Sequence, residues 1–313
     1  MVAISLSTDP ESKDNYGPYV PNIGSTCPTT GKAIRYNNIA DLEEVLERHG
    51  KDTAAFIVEP IQGEAGVVVP DDDYLSRVQA LCKKHIVLFI CDEIQTGIGR
   101  TGRMLCSEWS GIKPDMVTLG KAISGGMYPV SAVLSSKDIM LVVEPGTHGS
   151  TYGGNPLGCA VSIRALELMD EWDLTAKAEK LGNIFREGIA ALKSPIIKVI
   201  RGKGLLNAVV IDEAAADGRT AWDLCLLLKS KGILVSCPST KDARLLAPGS
   251  DANRLYEYRP SPRTATSSGS RRPSSSRRRS SGRVSTSLLR RSRSSQLWRR
   301  PRTTRHLHGG GQT

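Results

Sequence analysis

Three residues of this chain each close an apolar, β-branched run with a chemically active side chain. They are Glu59 after AAFIV, Asp92 after IVLFIC and Lys121 after DMVTLG. In open α/β sheets ligands gather beyond the carboxyl ends of the strands, so the three are expected at one place. Singly, each has an ordinary reading as a capping acid or a solvated lysine. An amine facing two carboxyls is harder to treat as ordinary. A lysine desolvated at such a site loses basicity and can attack a carbonyl to form a Schiff base. Pyridoxal phosphate is the cofactor that exploits this. It also needs an acid opposite its pyridine nitrogen, so that the protonated ring can accept electrons. Asp92 suits that task, and Gln95, three residues on, suits a hydrogen bond to the ring's phenolic oxygen. HGSTYGGNP (148–156) offers the hydroxyls of Ser150 and Thr151 and close backbone approach just before a helix, which suits a phosphate. RGKGLLN (201–207) reads as a bend in a strand.

The elements that must position these residues follow from periodicity. AAFIVEP, IVLFICDE, DMVTLG and PVSAVLSS are short apolar runs with strand character. ADLEEVLERHG and DDDYLSRVQALCKKH space their apolar residues at three and four, the first ending on Gly50 as at a helix C-cap and the second opening on acids. Helices are also expected over Asn155–Asp170, Leu174–Leu192 and Ala221–Lys231, and a strand with a glycine break over IKVIRGKGLLNAVVID. Strands alternating with helices predict an α/β fold on a mostly parallel sheet flanked by helices. A partial large domain is expected over 1–194 and a partial α+β small domain over 195–257. Residues 1–38 read as loop, with a short strand possible at VAISLS.

Charge separates the last part of the chain from the rest. The 313 residues carry a formal net charge of +10, yet fifteen arginines and no acid lie after Glu257, which leaves −5 for everything before. Residues 258–313 are rich in Arg and Ser, lack apolar periodicity and are expected to be disordered. Such a tail is either a contact for nucleic acid or acidic partners, or an aberrant C-terminus of the kind an altered reading frame produces; the second is the preferred reading. The seven cysteines are scattered without a CxxC pair, which favours reduced thiols over a disulfide framework or a metal site. No run is long and apolar enough to span a membrane, and no signal peptide is visible. The cytoplasm is the expected compartment, with the mitochondrial matrix as the alternative.

EPIQGEAGVVVPDDDYL, LFICDEIQTGIGRTGRM, PDMVTLGKAISGGMYPVSAVL and HGSTYGGNPLGC resemble the class III, fold-type I aminotransferases that act on terminal amino groups. The resemblance runs from Val2 to about Pro248. IQGEAG and RGKGLLNAVVI resemble the branch acting on ornithine, while the acetylornithine and 4-aminobutyrate branches share the Asp–Gln–Lys–Thr set. The resemblance implies that Lys121 bonds to pyridoxal phosphate and shuttles the proton, that Asp92 pairs with the pyridine nitrogen and that Gln95 meets the phenolic oxygen. Thr151 would reach the phosphate held by a second subunit, so a homodimer with shared sites is implied. Glu59 would support the site, and Glu64 would form a gate with an arginine, assigned to Arg244 in DARLLAP. The implied reaction moves the δ-amino group of L-ornithine to 2-oxoglutarate, giving glutamate and glutamate-5-semialdehyde, a step of arginine catabolism and proline formation. In the family, the main phosphate loop, the stacking aromatic and the residues recognising ornithine precede the point matching Val2. The chain is therefore expected to be truncated at its N-terminus and aberrant at its C-terminus, so a catalytically inactive product of such a gene is the alternative.

Overall fold

The computed structural model describes residues 23–239, plus the strands Asp242–Leu246 and Ser287–Arg290, with side chains placed over 24–236. The possible strand VAISLS lies outside the described residues.

Four of the apolar runs form the centre and one edge of a sheet. They are β2 (Thr53–Val58), β3 (Leu88–Asp92), β4 (Met116–Leu119) and β5 (Ala132–Ser135), with β1 (Ile23–Gly24) at the other edge. The centre, β2–β3–β4, is parallel, and β5 runs antiparallel to β4. Parallel neighbours need a crossover, and α2 (Tyr74–His85) supplies the one from β2 to β3. That helix and α1 (Ile39–His49) cover one face of the sheet, where Leu42, Leu46, Val78, Phe56 and Phe89 are fully or almost fully buried in a single core. The start of α1 is fixed by Asn38, whose side-chain oxygen accepts the Asp41 N–H at 3.2 Å. Gly50 follows it in a right-handed conformation, so the helix passes into a short 3₁₀ turn instead of ending on a left-handed glycine.

A second, antiparallel sheet begins at Ile197. Here β6 (Ile197–Lys203) and β7 (Leu206–Ile211) form a hairpin, followed in the order β6-β7-β9-β8 by β9 (Asp242–Leu246) and β8 (Ser236–Ser239). The glycine break expected in one strand is thus a reversal of the chain. Its turn is wedged against the rest of the molecule. Leu205 N–H donates to Arg100 O at 2.9 Å, and Gly204 O accepts from Arg186 Nη1 and Asn207 Nδ2. A Cβ on Gly182, in the long helix α5 (Leu174–Ala191) that follows α4 (Pro156–Glu171), would run into Gly204 O. Glycine is required there by close approach.

Within the Arg/Ser-rich segment, four residues form a strand, β10 (Ser287–Arg290), inserted antiparallel between β1 and β2. Its STSLLR stretch is the part of the tail with β-compatible apolar residues. Pairing satisfies backbone groups along an edge of β2 that would otherwise lack partners. The rest of 258–313 lies outside the described residues. Cys27, Cys82, Cys91, Cys106, Cys159 and Cys225 are free thiols, and among the described residues no helix is long and apolar enough to cross a membrane.

Candidate active site

Beyond the carboxyl ends of β2, β3 and β4 the chain turns three times in succession, and each turn carries one of the predicted groups. Lys121 begins the short 3₁₀ helix Lys121–Ser124 directly after β4. Its φ of +45° lies in the left-handed region, which costs a non-glycine residue about 1–3 kcal/mol. Packing around it holds the conformation: Ile123 and Ser124 are buried, Ser124 Oγ donates to Tyr128 O at 2.5 Å, and α4 packs on the turn. The expected desolvation of the lysine is not supplied by the described residues, among which Lys121 is exposed.

Asp92 ends β3 and is 7% exposed. Its Oδ1 accepts from Thr118 Oγ1 at 3.0 Å and from the Ile94 N–H at 3.1 Å. Thr118 lies on β4, so the pairing of the two strands aims the carboxylate. Among the described residues Oδ2 accepts no hydrogen bond, which leaves it available to a further donor. Burial raises the pKa of Asp92, opposed by those two hydrogen bonds and by the nearby Lys121 charge.

Glu59 follows β2. Its Oε2 accepts the Gly63 N–H at 3.0 Å, while Tyr36 Oη donates to the carbonyls of Glu59 and Pro60 at 3.1 and 3.0 Å. Burial pushes its pKa to about 7, with Asp92 and Glu64 adding to the rise and Lys121 opposing it. Asp92, Glu64 and Lys121 therefore all lie within electrostatic reach of Glu59. Gln95 stands against Gly63, where a Cβ would strike its side-chain amide.

A pH effect follows from Glu59. The folded carboxyl holds its proton up to about 7 and the unfolded one only to its ordinary value of 4.5. The native state therefore binds more protons in that window, and stability falls as pH rises through it. The shift corresponds to at most about 3 kcal/mol. Glu59→Gln should flatten the decline in urea-unfolding free energy between those pH values; an unchanged slope would assign the decline to other groups.

The remaining predicted residues are not gathered here. Ser150 and Thr151 lie on an exposed loop leading into α4, where Ser150 Oγ accepts the Gly153 N–H at 2.9 Å. Arg244 sits on β9 opposite Ala208 of β7, and its side chain lies outside the described residues. One residue that sequence reasoning passed over is Glu93, only 1% exposed. Its carboxylate accepts from Thr96 Oγ1 at 2.5 Å, Cys106 N–H at 3.0 Å and Ser107 N–H at 2.8 Å. Its own N–H donates to Thr118 O, so it fastens the turn that carries Asp92 and Gln95 to β4 and to the segment at 106–110. The signal available was a second acid beside Asp92 in an otherwise apolar strand end.

A lysine and a buried acid beyond adjoining strand ends of an α/β sheet form the arrangement expected of a pyridoxal-dependent transferase. Residues 1–248 match the family model Aminotransferase class-III, and the chain belongs to that family. It is 66% identical to the ornithine aminotransferase of Emericella nidulans over 248 residues, covering 79% of this chain and 54% of that relative. The solved ornithine aminotransferase of Toxoplasma gondii ME49 superimposes with a TM-score of 0.66 at 45% identity, over 72% of this chain and 53% of that one. A solved acetylornithine aminotransferase from Elizabethkingia anophelis superimposes with a TM-score of 0.65 at 51% identity, over 71% and 58%. The chain spans about half the length of the curated relatives it matches.

Proposed function

We propose that the chain carries out the transfer of the δ-amino group of L-ornithine to 2-oxoglutarate, with pyridoxal phosphate as cofactor. Glutamate-5-semialdehyde and glutamate are the products. The observation that carries this reading is the placement of Lys121 and Asp92 beyond adjoining strands, in a chain 66% identical to an ornithine aminotransferase. The donor set fits the cofactor. Asp92 presents one carboxylate oxygen that no protein donor takes among the described residues, and it is buried enough to prefer a cationic N–H over water. Lys121 is the amine within electrostatic reach of it.

When bound, pyridoxal phosphate supplies the electron sink for breaking the substrate's C–H bond. The residues of this chain do the rest. Asp92 keeps the negative charge that stabilises a protonated ring nitrogen, and Thr118 holds it in register. Lys121 would carry the proton between substrate and cofactor. Gln95 would meet the ring's phenolic oxygen, Glu59 buttresses the Gly63 turn, and Glu64 would gate the site with an arginine. Ser150 and Thr151 serve a phosphate held by a second copy. Supporting a homodimer, Met127, Val133, Leu134, Leu141, Val143 and Tyr152 are exposed along 127–152, an apolar surface larger than scattered single residues produce.

The test uses the purified chain. Adding pyridoxal phosphate should produce a near-visible absorbance band, and glutamate should form from 2-oxoglutarate only when L-ornithine is present. Absence of the band, or equal glutamate formation with N-acetylornithine or 4-aminobutyrate, overturns the reading.

A further inference from the structure

Glu64 sits on a loop whose shape is imposed from the second sheet. The loop closes on itself through the antiparallel bridge between Gln62 and Val68, with N–H···O distances of 3.1 and 2.9 Å. Inside it, the N–H groups of Gly66 and Val67 both donate to Gly63 O. Gly66 takes φ +111°, ordinary for glycine, but Val67 takes φ +55° while wholly buried. A β-branched residue in the left-handed region is an outlier that persists only where its surroundings over-determine it.

Two contacts do so, and both come from the hairpin β6–β7. The Val67 side chain is buried in one cluster with Leu206 and Ala208 of β7. Arg201 of β6 donates its Nε–H to Gly66 O at 2.9 Å, across 135 residues of sequence. At its other end the loop is fastened to the site itself, because Gly63 N–H donates to Glu59. Glu64 lies between these two fastenings, one to the catalytic strand ends and one to the second sheet.

We propose that Arg201 is a positioning residue for Glu64, holding the loop from which its carboxylate gates the site. The proposal deepens the aminotransferase reading and rests on it for that gating role. It makes the second sheet, through Arg201 and Val67, the element that holds the Glu64 loop beside the strand ends. A guanidinium suits the task because its Nε–H points in one fixed direction, whereas a lysine would carry the charge without that constraint.

The test compares Arg201→Ala and Arg201→Lys with the unaltered chain. Hydrogen exchange of a peptide spanning 61–68 should quicken by about tenfold in Arg201→Ala, with β2, β3 and β4 unchanged. Arg201→Lys should give an intermediate rise. With pyridoxal phosphate bound, L-ornithine should bind about tenfold more weakly to Arg201→Ala by its effect on the absorbance band, while affinity for pyridoxal phosphate stays within about twofold. Adding Glu64→Gln to Arg201→Ala should cause little further loss, since both act through one carboxylate. Unchanged exchange, an equal rise throughout the large sheet, or additive losses in the double variant would each overturn the proposal. If the unaltered chain gives no absorbance band, the aminotransferase reading fails, and the exchange comparison still decides whether Arg201 holds the loop.

Discussion

Lys121→Ala should lower turnover of L-ornithine by about 10²–10⁴-fold and remove the absorbance band that pyridoxal phosphate induces. Alanine supplies neither the amine that bonds to the cofactor nor the base that moves the proton. The fold should tolerate the change, because Lys121 is exposed and contributes nothing to the core. Alanine keeps the Cβ and therefore the strain of φ +45°, so stability should be little changed. Two measurements separate the roles. Retained thermal unfolding with the band lost locates the defect in the chemistry, whereas a band of normal intensity in the alanine variant would mean that another amine is the cofactor's partner. Adding a small primary amine to the variant should restore part of the turnover, since the missing group is a proton carrier of modest size.

Glu93→Ala is the substitution with the largest expected cost to stability, about 3–5 kcal/mol. The change leaves the N–H groups of Cys106 and Ser107 and the Thr96 hydroxyl facing an emptied, water-poor pocket. Each buried donor without an acceptor is penalised by about 1–3 kcal/mol. Ionising a carboxyl there is itself opposed by burial, which raises its pKa, so the gain from deleting the charge offsets part of the loss. Glu93→Gln should be milder, keeping one acceptor oxygen while turning an amide donor toward backbone donors. Chemical denaturation of both variants gives the ranking. A Glu93→Ala variant as stable as the unaltered chain would show that water replaces the carboxylate without loss. Because Asp92 and Gln95 ride on the same turn, the glutamine variant should also bind pyridoxal phosphate less tightly.

The two substitutions differ in how visible their residues were. Lys121 stood out because apolar β-branched runs of four to six residues announce strands, and a charged residue closing one is conspicuous. The same local grammar located Asp92, Glu59 and the helices that cover β2 and β3. Glu93 was hidden by its neighbour: a pair of acids after a strand does not say which faces the ligand and which faces inward. Only the return of the chain at 106–107, thirteen residues on, shows that Glu93 points into the protein. RGKGLLN was legible as a break in extended chain, but not as a hairpin wedged against Arg100 and Gly182. The tail's strand β10 was not legible either, since an edge that needs pairing belongs to β2 and leaves no mark on the segment that pairs with it.

Residue type and spacing along the chain were enough to establish the α/β class and to put Glu59, Asp92 and Lys121 at strand ends. Those depend on side-chain period and on the rule that strand ends share one side of a parallel sheet. The tertiary structure decided the environment of each group. It left Lys121 exposed on a strained turn, engaged one Asp92 oxygen with Thr118 and Ile94, and raised Glu59 to about 7 through burial beside other carboxyls. It also tied the loop carrying Glu64 to Arg201, 135 residues away from the loop's Gly66. Desolvation and long-range hydrogen bonding depend on which groups meet in space, and the linear pattern of a chain carries that information only after it has folded.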